Sequence, residues 1–222
     1  RACKALGLEP DIISPQADLS RYKILLAPSA FLADEALAQT LTDFTSQGGT
    51  LMLGARSGFK DIHNVVTEEP LPGVLRDLAG ARVAKWHALP PEICYPLQSE
   101  LADLYPDVTF WAEALEPADG TKSLANYSAA PFDGLAAITE KPHGNGKVIY
   151  CGIYPRLSQA VALIRHLAVS KAIPVLDIPS GLAVFQRGTK LLAMNFTEEP
   201  IVFSTKSGEY SIAARDFNII TK

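Results

Sequence analysis

The sequence predicts a mixed α/β domain followed by a small antiparallel β domain, and three observations support this fold class. First, a strand, a helix and a second strand follow one another between residues 22 and 54, at the spacing of a crossover unit. Second, Pro, Gly and Asn-Gly between residues 141 and 146 separate two apolar runs, which is typical of a β-hairpin. Third, short apolar runs alternate with turn residues beyond residue 181, which is typical of a small antiparallel module.

The first 27 residues predict one helix end and two buried strands. Residues 2–8 read as the last turns of a helix that ends at Gly7. Residues 11–14 and 23–27 are short apolar runs that suit buried strands. The second run is nearly continuous, as expected for a parallel strand covered on both faces. Since the chain opens on the end of a helix, we expect a fragment or a processed product.

A helix and a strand complete the crossover unit. Asp34 is a suitable N-cap, and apolar residues recur on one helical face between residues 37 and 44. The glycine pair at 48–49 ends the helix, and residues 50–53 form the next buried strand. This order predicts a right-handed crossover between parallel strands, as in flavodoxin-like and class I glutamine-amidotransferase-like three-layer domains.

The segments from residue 72 to residue 169 predict two more helices and further strands. Residues 72–79 form a short helix with Pro72 near its start and a glycine after its end. Residues 157–169 form a longer helix with apolar positions on one side. Trp86 and Trp111 are expected to be large packing residues within strands. Strands are predicted for residues 82–97, 108–115, 135–140 and 147–151.

The composition changes beyond Lys171, where a proline-containing stretch resembles a linker. The strands of the antiparallel module are predicted at residues 182–186, 190–195, 200–204 and 209–213. We therefore predict two domains, an amidotransferase-like domain at residues 1–171 and a small C-terminal β domain at residues 172–222.

The composition excludes several classes of partner. The chain of 222 residues is 48% hydrophobic and 20% charged, with a formal net charge of −4. It has no basic footprint, so a nucleic acid is not an expected partner. No apolar run reaches membrane-spanning length, and the N-terminus has no secretory signal pattern. Cys3, Cys94 and Cys151 are widely spaced, so we expect isolated reduced thiols and a cytoplasmic location.

Cys151 is the candidate nucleophile of the α/β domain, because it ends an apolar strand shortly before a helix. A strained strand-to-helix elbow needs small residues on both sides of its nucleophile. Gly152 meets this requirement, but Ile149 stands where the leading glycine is needed. No downstream pair could serve as base and orienting group. We therefore expect Cys151 to be a structural thiol.

The four histidines do not predict a metal site. His87, His143 and His166 lie outside helical or hairpin spacing of further ligands, and so does His63. His63 follows Asp61 in a polar loop and is the most site-like of the four. A surface or capping role is still the expectation for His63. His143 in the hairpin turn is expected to be solvated, and the sequence leaves the role of His166 on the late helix open.

Glycines, acidic residues and sequons add no further site. The glycines at 48–49 and 144–146 precede strands, whereas a phosphate loop follows a strand and opens a helix. Asn126 and Asn195 begin matches to the glycosylation sequon that are expected by chance. Paired acids are expected to form solvated faces, and this applies to Glu68, Glu69, Glu113, Glu116, Glu198 and Glu199. The residues thus predict no catalytic, cofactor-binding or metal-binding site.

Seven segments, in order and spacing, resemble the C-terminal half of glycoside hydrolase family 42 β-galactosidases. They are residues 6–13 (LGLEPDII), 19–28 (LSRYKILLAP), 48–51 (GGTL), 57–64 (SGFKDIHN), 71–80 (LPGVLRDLAG), 144–152 (GNGKVIYCG) and 191–197 (LLAMNFT). Phe196 stands where that family usually has a histidine. The resemblance runs through most of the chain.

The resemblance implies a region without an active site. In that family the catalytic acid and the nucleophile are glutamates on an N-terminal (β/α)8 barrel, which this sequence does not contain. No catalytic residue is therefore carried over. The matching part resembles the trimerisation domain, with an amidotransferase-like fold, and the small β domain after it. The resemblance also implies that the first strand of the trimerisation domain is missing upstream of Arg1.

Two functional hypotheses follow. In the first, the chain is a non-catalytic scaffold region that holds the full-length protein together as a homotrimer. The chain alone is then inactive, and the β-galactoside substrate binds to the missing barrel. In the second, the chain is an independent amidotransferase-like or carbohydrate-binding module, with Cys151 or the loop from Asp61 to His63 as its site. Rapid, selective alkylation of Cys151 with loss of an activity would favour the second hypothesis.

Overall fold

The computed structural model describes residues 1–101 and 103–221, which divide into two compact units. Residues 14–156 form the larger unit, and residues 1–13 with those from 157 onward form the smaller one. Each unit has its own cluster of buried apolar side chains.

The elements alternate between helix and strand only in the first part of the larger unit. The helices are α1 (Ala2–Ala5), α2 (Glu35–Ser46), α3 (Arg76–Ala79) and α4 (Leu157–Ser170), and a 3₁₀ turn (Gly73–Leu75) precedes α3. The strands of the larger unit are β1 (Ile24–Ala27), β2 (Thr50–Gly54), β3 (Ala81–Ala88), β4 (Tyr95–Ser99), β5 (Asp107–Val108), β6 (Trp111–Pro117), β7 (Lys122–Tyr127), β8 (Ala136–His143) and β9 (Gly146–Cys151). The strands of the smaller unit are β10 (Leu182–Arg187), β11 (Lys190–Asn195), β12 (Ile201–Thr205), β13 (Gly208–Ile212) and β14 (Phe217–Thr221).

The larger unit is built on a sheet with a parallel core. Strand β2 pairs in parallel with β1 on one side and with β9 on the other. The sheet continues in the order β8, β7, β4, β5, and β6 joins β3 to β8. All five residues of β2 are buried, as expected for a central parallel strand covered on both faces. The predicted parallel strands at residues 23–27 and 50–53 are confirmed.

Helix α2 begins where the sequence predicts. The Asp34 carboxylate accepts a hydrogen bond from the N–H of Leu37 at 2.8 Å, which is the contact of an N-cap. Leu41 and Phe44 lie on the buried face of the helix. They belong to the apolar cluster that also contains Leu53 of β2 and Leu75 before α3.

Replacing Asp34 by Ala is expected to lower the free energy of unfolding by about 1 kcal/mol, because the N–H of Leu37 loses its acceptor. Urea unfolding followed by tryptophan fluorescence measures this change. Asp34→Asn is the matched control, since asparagine caps a helix about as well as aspartate. Equal losses in both variants would show that the carboxylate charge, and not the capping bond, stabilises the helix.

The predicted hairpin is also confirmed, and its strands are longer than expected. β8 and β9 pair from Ile138 opposite Cys151 to His143 opposite Gly146. Gly144 and Asn145 form the two-residue turn, and Gly144 has a φ of 56°. This left-handed conformation explains the glycine at the start of the turn.

Three other expectations were wrong or incomplete. Residues 11–14 form no strand, and Ile12 is fully exposed, so this apolar run has no sheet to join. The single strand predicted at 82–97 is two strands, β3 and β4, because Pro90 and Pro91 between them have no N–H to donate. β7 was not predicted, because lysine, serine and asparagine interrupt its apolar positions.

The smaller unit contains a three-stranded and a two-stranded antiparallel sheet. β11 lies between β10 and β14, and β12 pairs with β13. The predicted strands at 182–186, 190–195, 200–204 and 209–213 are confirmed, while β14 was not predicted. Leu191, Ala193 and Ile220 contribute to the apolar cluster of this unit.

Candidate functional site

Two phenylalanines and one arginine follow the carboxyl ends of two parallel strands in the larger unit. Phe31 follows β1, and Arg56 and Phe59 follow β2. In open α/β sheets this edge is where ligands and functional groups gather. Trp86 of β3 and Trp111 of β6 complete the group. We call Phe31, Phe59, Trp86 and Trp111 the aromatic cradle.

Glu113 is buried next to this group and binds two of its residues, Arg56 and Trp111, through hydrogen bonds. Its side chain is 1% exposed, and its two carboxylate oxygens accept three hydrogen bonds. The donors are the N–H of Arg56, the indole N–H of Trp111 and the hydroxyl of Tyr150, each at 2.9 Å. Burial raises the pKa of Glu113, and these three donors and the nearby Arg56 charge offset part of that rise.

The expectation that Glu113 belongs to a solvated acidic face was therefore wrong. Glu116, its neighbour in the sequence pair, is exposed and forms an ion pair with Arg82 across β3 and β6. Glu113 instead lies within the apolar part of β6, between Ala112 and Ala114, which are both fully buried. The sequence signal for such a residue is a single carboxylate inside an apolar strand. A charge buried there needs internal hydrogen-bond partners.

Arg56 has a conformation that few residues adopt. Its φ is 65°, in the left-handed region that disfavours side chains other than glycine. The hydrogen bond from its N–H to Glu113 holds it there. Its guanidinium carbon lies 4.8 Å from the ring centres of Phe31 and Trp111, so the cation contacts aromatic surface on more than one side.

The aromatic cradle is a continuous set of ring contacts. Trp86 and Trp111 stack with centroids 4.8 Å apart, and Phe31 stacks on Phe59 at 5.5 Å. Phe59 also meets Trp86 edge to face at 6.2 Å. Trp86 remains 45% exposed, although a tryptophan in a sheet was expected to be a packing residue. The rings of the cradle thus hold one another in place, while part of Trp86 remains exposed to solvent.

Cys151 lies apart from solvent. It is 1% exposed, and its Sγ lies 3.6 Å from the carbonyl oxygen of Ile153. Burial raises the pKa of the Cys151 thiol to about 12. Because the thiolate is the reactive form, the thiol is inert at neutral pH. Cys3 and Cys94 are free thiols as well.

The histidines have ordinary environments. His63 is exposed, and its backbone N–H donates to the carboxylate of Asp61 at 2.9 Å. Asp61 also accepts from the N–H of Val65, so it shapes the loop. The Nδ1 of His87 lies 2.7 Å from the hydroxyl of Tyr95. His143 ends β8 and His166 lies on α4, both half-buried. Among residues 1–101 and 103–221, no three His, Cys, Asp or Glu side chains group as metal ligands would.

The side chains of the two sequon asparagines form hydrogen bonds within the fold. Asn195 is 3% exposed, and its amide nitrogen donates to the carbonyl oxygens of Glu199, Ile212 and Ala213. Its amide oxygen accepts from the N–H and the hydroxyl of Thr197. The Asn126 side chain accepts from the hydroxyl of Ser123. Asn195 therefore joins three segments of the smaller unit.

Comparison with known proteins identifies the class to which this fold belongs. A family model described as the β-galactosidase trimerisation domain matches residues 1–174. The chain belongs to this family, and the predicted resemblance to glycoside hydrolase family 42 is confirmed.

Two proteins described as β-galactosidases align with nearly the whole chain. The β-galactosidase BgaH of Haloferax lucentense is 33% identical over 226 residues, covering 99% of this chain and 34% of that protein. The β-galactosidase Bga of Halorubrum lacusprofundi is 33% identical over 208 residues, covering 89% of this chain and 30% of that protein. The chain thus spans about a third of the length of these relatives.

Solved structures have the same fold. The β-galactosidase from Halorubrum lacusprofundi superposes with a TM-score of 0.87 at 30% identity, over 100% of this chain and 34% of that one. The enzyme from Bacillus circulans sp. alkalophilus superposes with a TM-score of 0.88 at 26% identity, over 98% of this chain and 35% of that one. The mixed α/β architecture is therefore that of the corresponding part of these enzymes. Within the described residues, no helix is long and apolar enough to cross a membrane.

Proposed function

We propose that this chain is the non-catalytic assembly region of a β-galactosidase-like glycoside hydrolase and that it holds a homotrimer together. The observation that carries the proposal is the match of residues 1–174 to the β-galactosidase trimerisation domain. The near-complete coverage of the chain by relatives described as β-galactosidases supports it further.

The parent enzyme would hydrolyse terminal β-D-galactosides with retention of configuration. Retaining glycosidases use two carboxyl groups about 5–5.5 Å apart, one as nucleophile and one as acid and base. We propose that this pair lies on a (β/α)8 barrel outside this chain and that the β-galactoside binds there. The internal hydrogen bonds of Glu113 and the raised pKa of Cys151 support a structural role for both residues. We propose no cofactor.

We also propose a more specific fold for each of the two parts of the chain. Residues 1–171 would form a flavodoxin-like or amidotransferase-like domain, and residues 172–222 a small C-terminal β domain. The parallel strands β1, β2 and β9, with α2 between the first two, favour the first assignment. The separate antiparallel sheets of β10 to β14 favour the second. Free thiols fit a reducing compartment, and we therefore propose a cytoplasmic location.

The purified chain is expected to form trimers without hydrolytic activity. Sedimentation velocity at increasing concentration should yield a species of three times the 23.9 kDa chain mass. The same preparation should not hydrolyse a nitrophenyl β-galactoside, whereas the full-length parent enzyme, as the positive control, should. A monomer at all concentrations would overturn the assembly function. Rapid alkylation of Cys151 with loss of an amidase activity would instead support the amidotransferase-like alternative.

A further inference from the structure

Exposed apolar residues lie next to Phe31 and Phe59 of the aromatic cradle. Leu32 and Lys60 form a bridge between two connecting segments, and Lys60 pairs in turn with Val66. Leu32, Val65 and Val66 are exposed, and so is nearby Ile62. A cavity of about 300 Å³ lies beside them, with Val65 and Val66 in its wall. Exposed apolar residues collected in this way are typical of a protein-interaction surface.

The composition of the cradle is that of the centre of a protein interface. Tryptophan, phenylalanine and arginine are enriched there, and tryptophan and arginine supply much of the binding energy. The cradle contains two tryptophans and two phenylalanines joined by ring contacts, and the Arg56 guanidinium lies against three of these rings. A small cavity beside such a centre can receive a protruding side chain of the partner.

The Arg56 guanidinium forms no ion pair with a carboxylate in the described part of the chain, although its charge lies close enough to Glu113 to lower the pKa of that carboxyl. The ion pairs there involve other cations, and Glu113 contacts Arg56 through the backbone N–H. Arg56 is an exposed residue, and a guanidinium has five N–H donors that an anion can accept from. It is also held between aromatic faces, so little side-chain entropy is lost when an acceptor binds. The site is thus prepared for a carboxylate from another molecule.

We infer that Arg56 and the aromatic cradle form the surface that contacts a second copy of this chain. The inference rests on the proposed function, because it names the surface through which the copies assemble. We choose another copy as the occupant because residues 1–174 match a trimerisation domain. In a cyclic trimer each contact joins two different surfaces, so the carboxylate comes from a region of the partner away from its own cradle. The chain has 24 acidic and 20 basic residues and can supply one.

Arg56→Gly is the sharpest test of this surface. Glycine adopts a φ of 65° without strain and keeps the N–H that Glu113 accepts, so the fold is retained while the guanidinium is lost. We expect the dissociation constant of the assembly to rise at least about tenfold. Arg56→Glu should raise it further, since a carboxylate would then face a carboxylate. Sedimentation velocity measures the constant, and circular dichroism verifies that each variant is folded.

Arg76→Glu is the matched control, because it reverses the charge of another, partly exposed arginine of the same unit and should leave the assembly unchanged. Assemblies of wild-type affinity in both Arg56 variants would overturn the inference and leave the proposed function intact. A wild-type chain that stays monomeric would overturn both. The same loss of assembly in the Arg76→Glu variant would also contradict the inference, since the effect would then be one of net charge.

Discussion

Replacing Glu113 by Ala is expected to lower the free energy of unfolding by about 3–5 kcal/mol. The substitution removes the acceptor of three donors, the N–H of Arg56, the indole N–H of Trp111 and the hydroxyl of Tyr150. Tyr150 is fully buried, so its hydroxyl cannot turn to water instead. The loss also leaves a cavity in a sheet strand whose neighbours are buried. Urea unfolding, followed by far-ultraviolet circular dichroism, measures the change.

Glu116→Ala is the matched control for this prediction. Glu116 lies on the same strand, and its ion pair with Arg82 is solvent-exposed, so its removal should cost no more than about 1 kcal/mol. A Glu113 variant that loses as little as the Glu116 variant would contradict the organising role of the buried carboxylate. If the Glu113→Ala chain does not fold, Glu113→Gln provides the measurement, because it keeps one acceptor oxygen and the volume of the side chain.

The parts of the fold that the sequence predicts are those in which local patterns and turn chemistry agree. The continuous apolar run at residues 23–27, the cap at Asp34 and the turn at residues 144–146 each have a local physical cause. The prediction at residues 11–14 failed because an apolar run forms a strand only if a neighbouring strand is available. Strand β14 buries only Ile220 of its five residues and depends on β11 for its pairing.

The site was harder to predict because its parts are distant in the sequence. Phe31, Arg56, Trp86 and Trp111 come together only when the ends of β1 and β2 meet the pair β3–β6. The left-handed φ of Arg56 has no sequence signal, since no glycine or asparagine marks the position. Glu113 was recognisable in principle from its apolar neighbours, but its three donors depend on tertiary structure.

Gly54→Ala is expected to destabilise the larger unit by about 3 kcal/mol. Gly54 ends β2, and a Cβ there would lie 1.9 Å from the carbonyl oxygen of Pro28 and 2.5 Å from its carbonyl carbon. Both are backbone atoms, so the segment after β1 must move away from the end of β2. Urea unfolding measures the cost. Gly120→Ala is the matched control, because its φ is 77° but its Cβ meets nothing within 4 Å.

The control should lose only about 1 kcal/mol, the cost of a side chain in the left-handed region. Equal losses of unfolding free energy in the Gly54 and Gly120 variants would contradict a rigid contact between Gly54 and Pro28. The contact matters for the cradle because Ser57 ties the same two segments together. Its hydroxyl donates to the carbonyl oxygen of Gly54 at 2.7 Å and accepts from the N–H of Ala30 at 3.1 Å. Displacing the segment after β1 would move Phe31 away from Arg56, so Gly54→Ala should weaken the assembly as well as the fold.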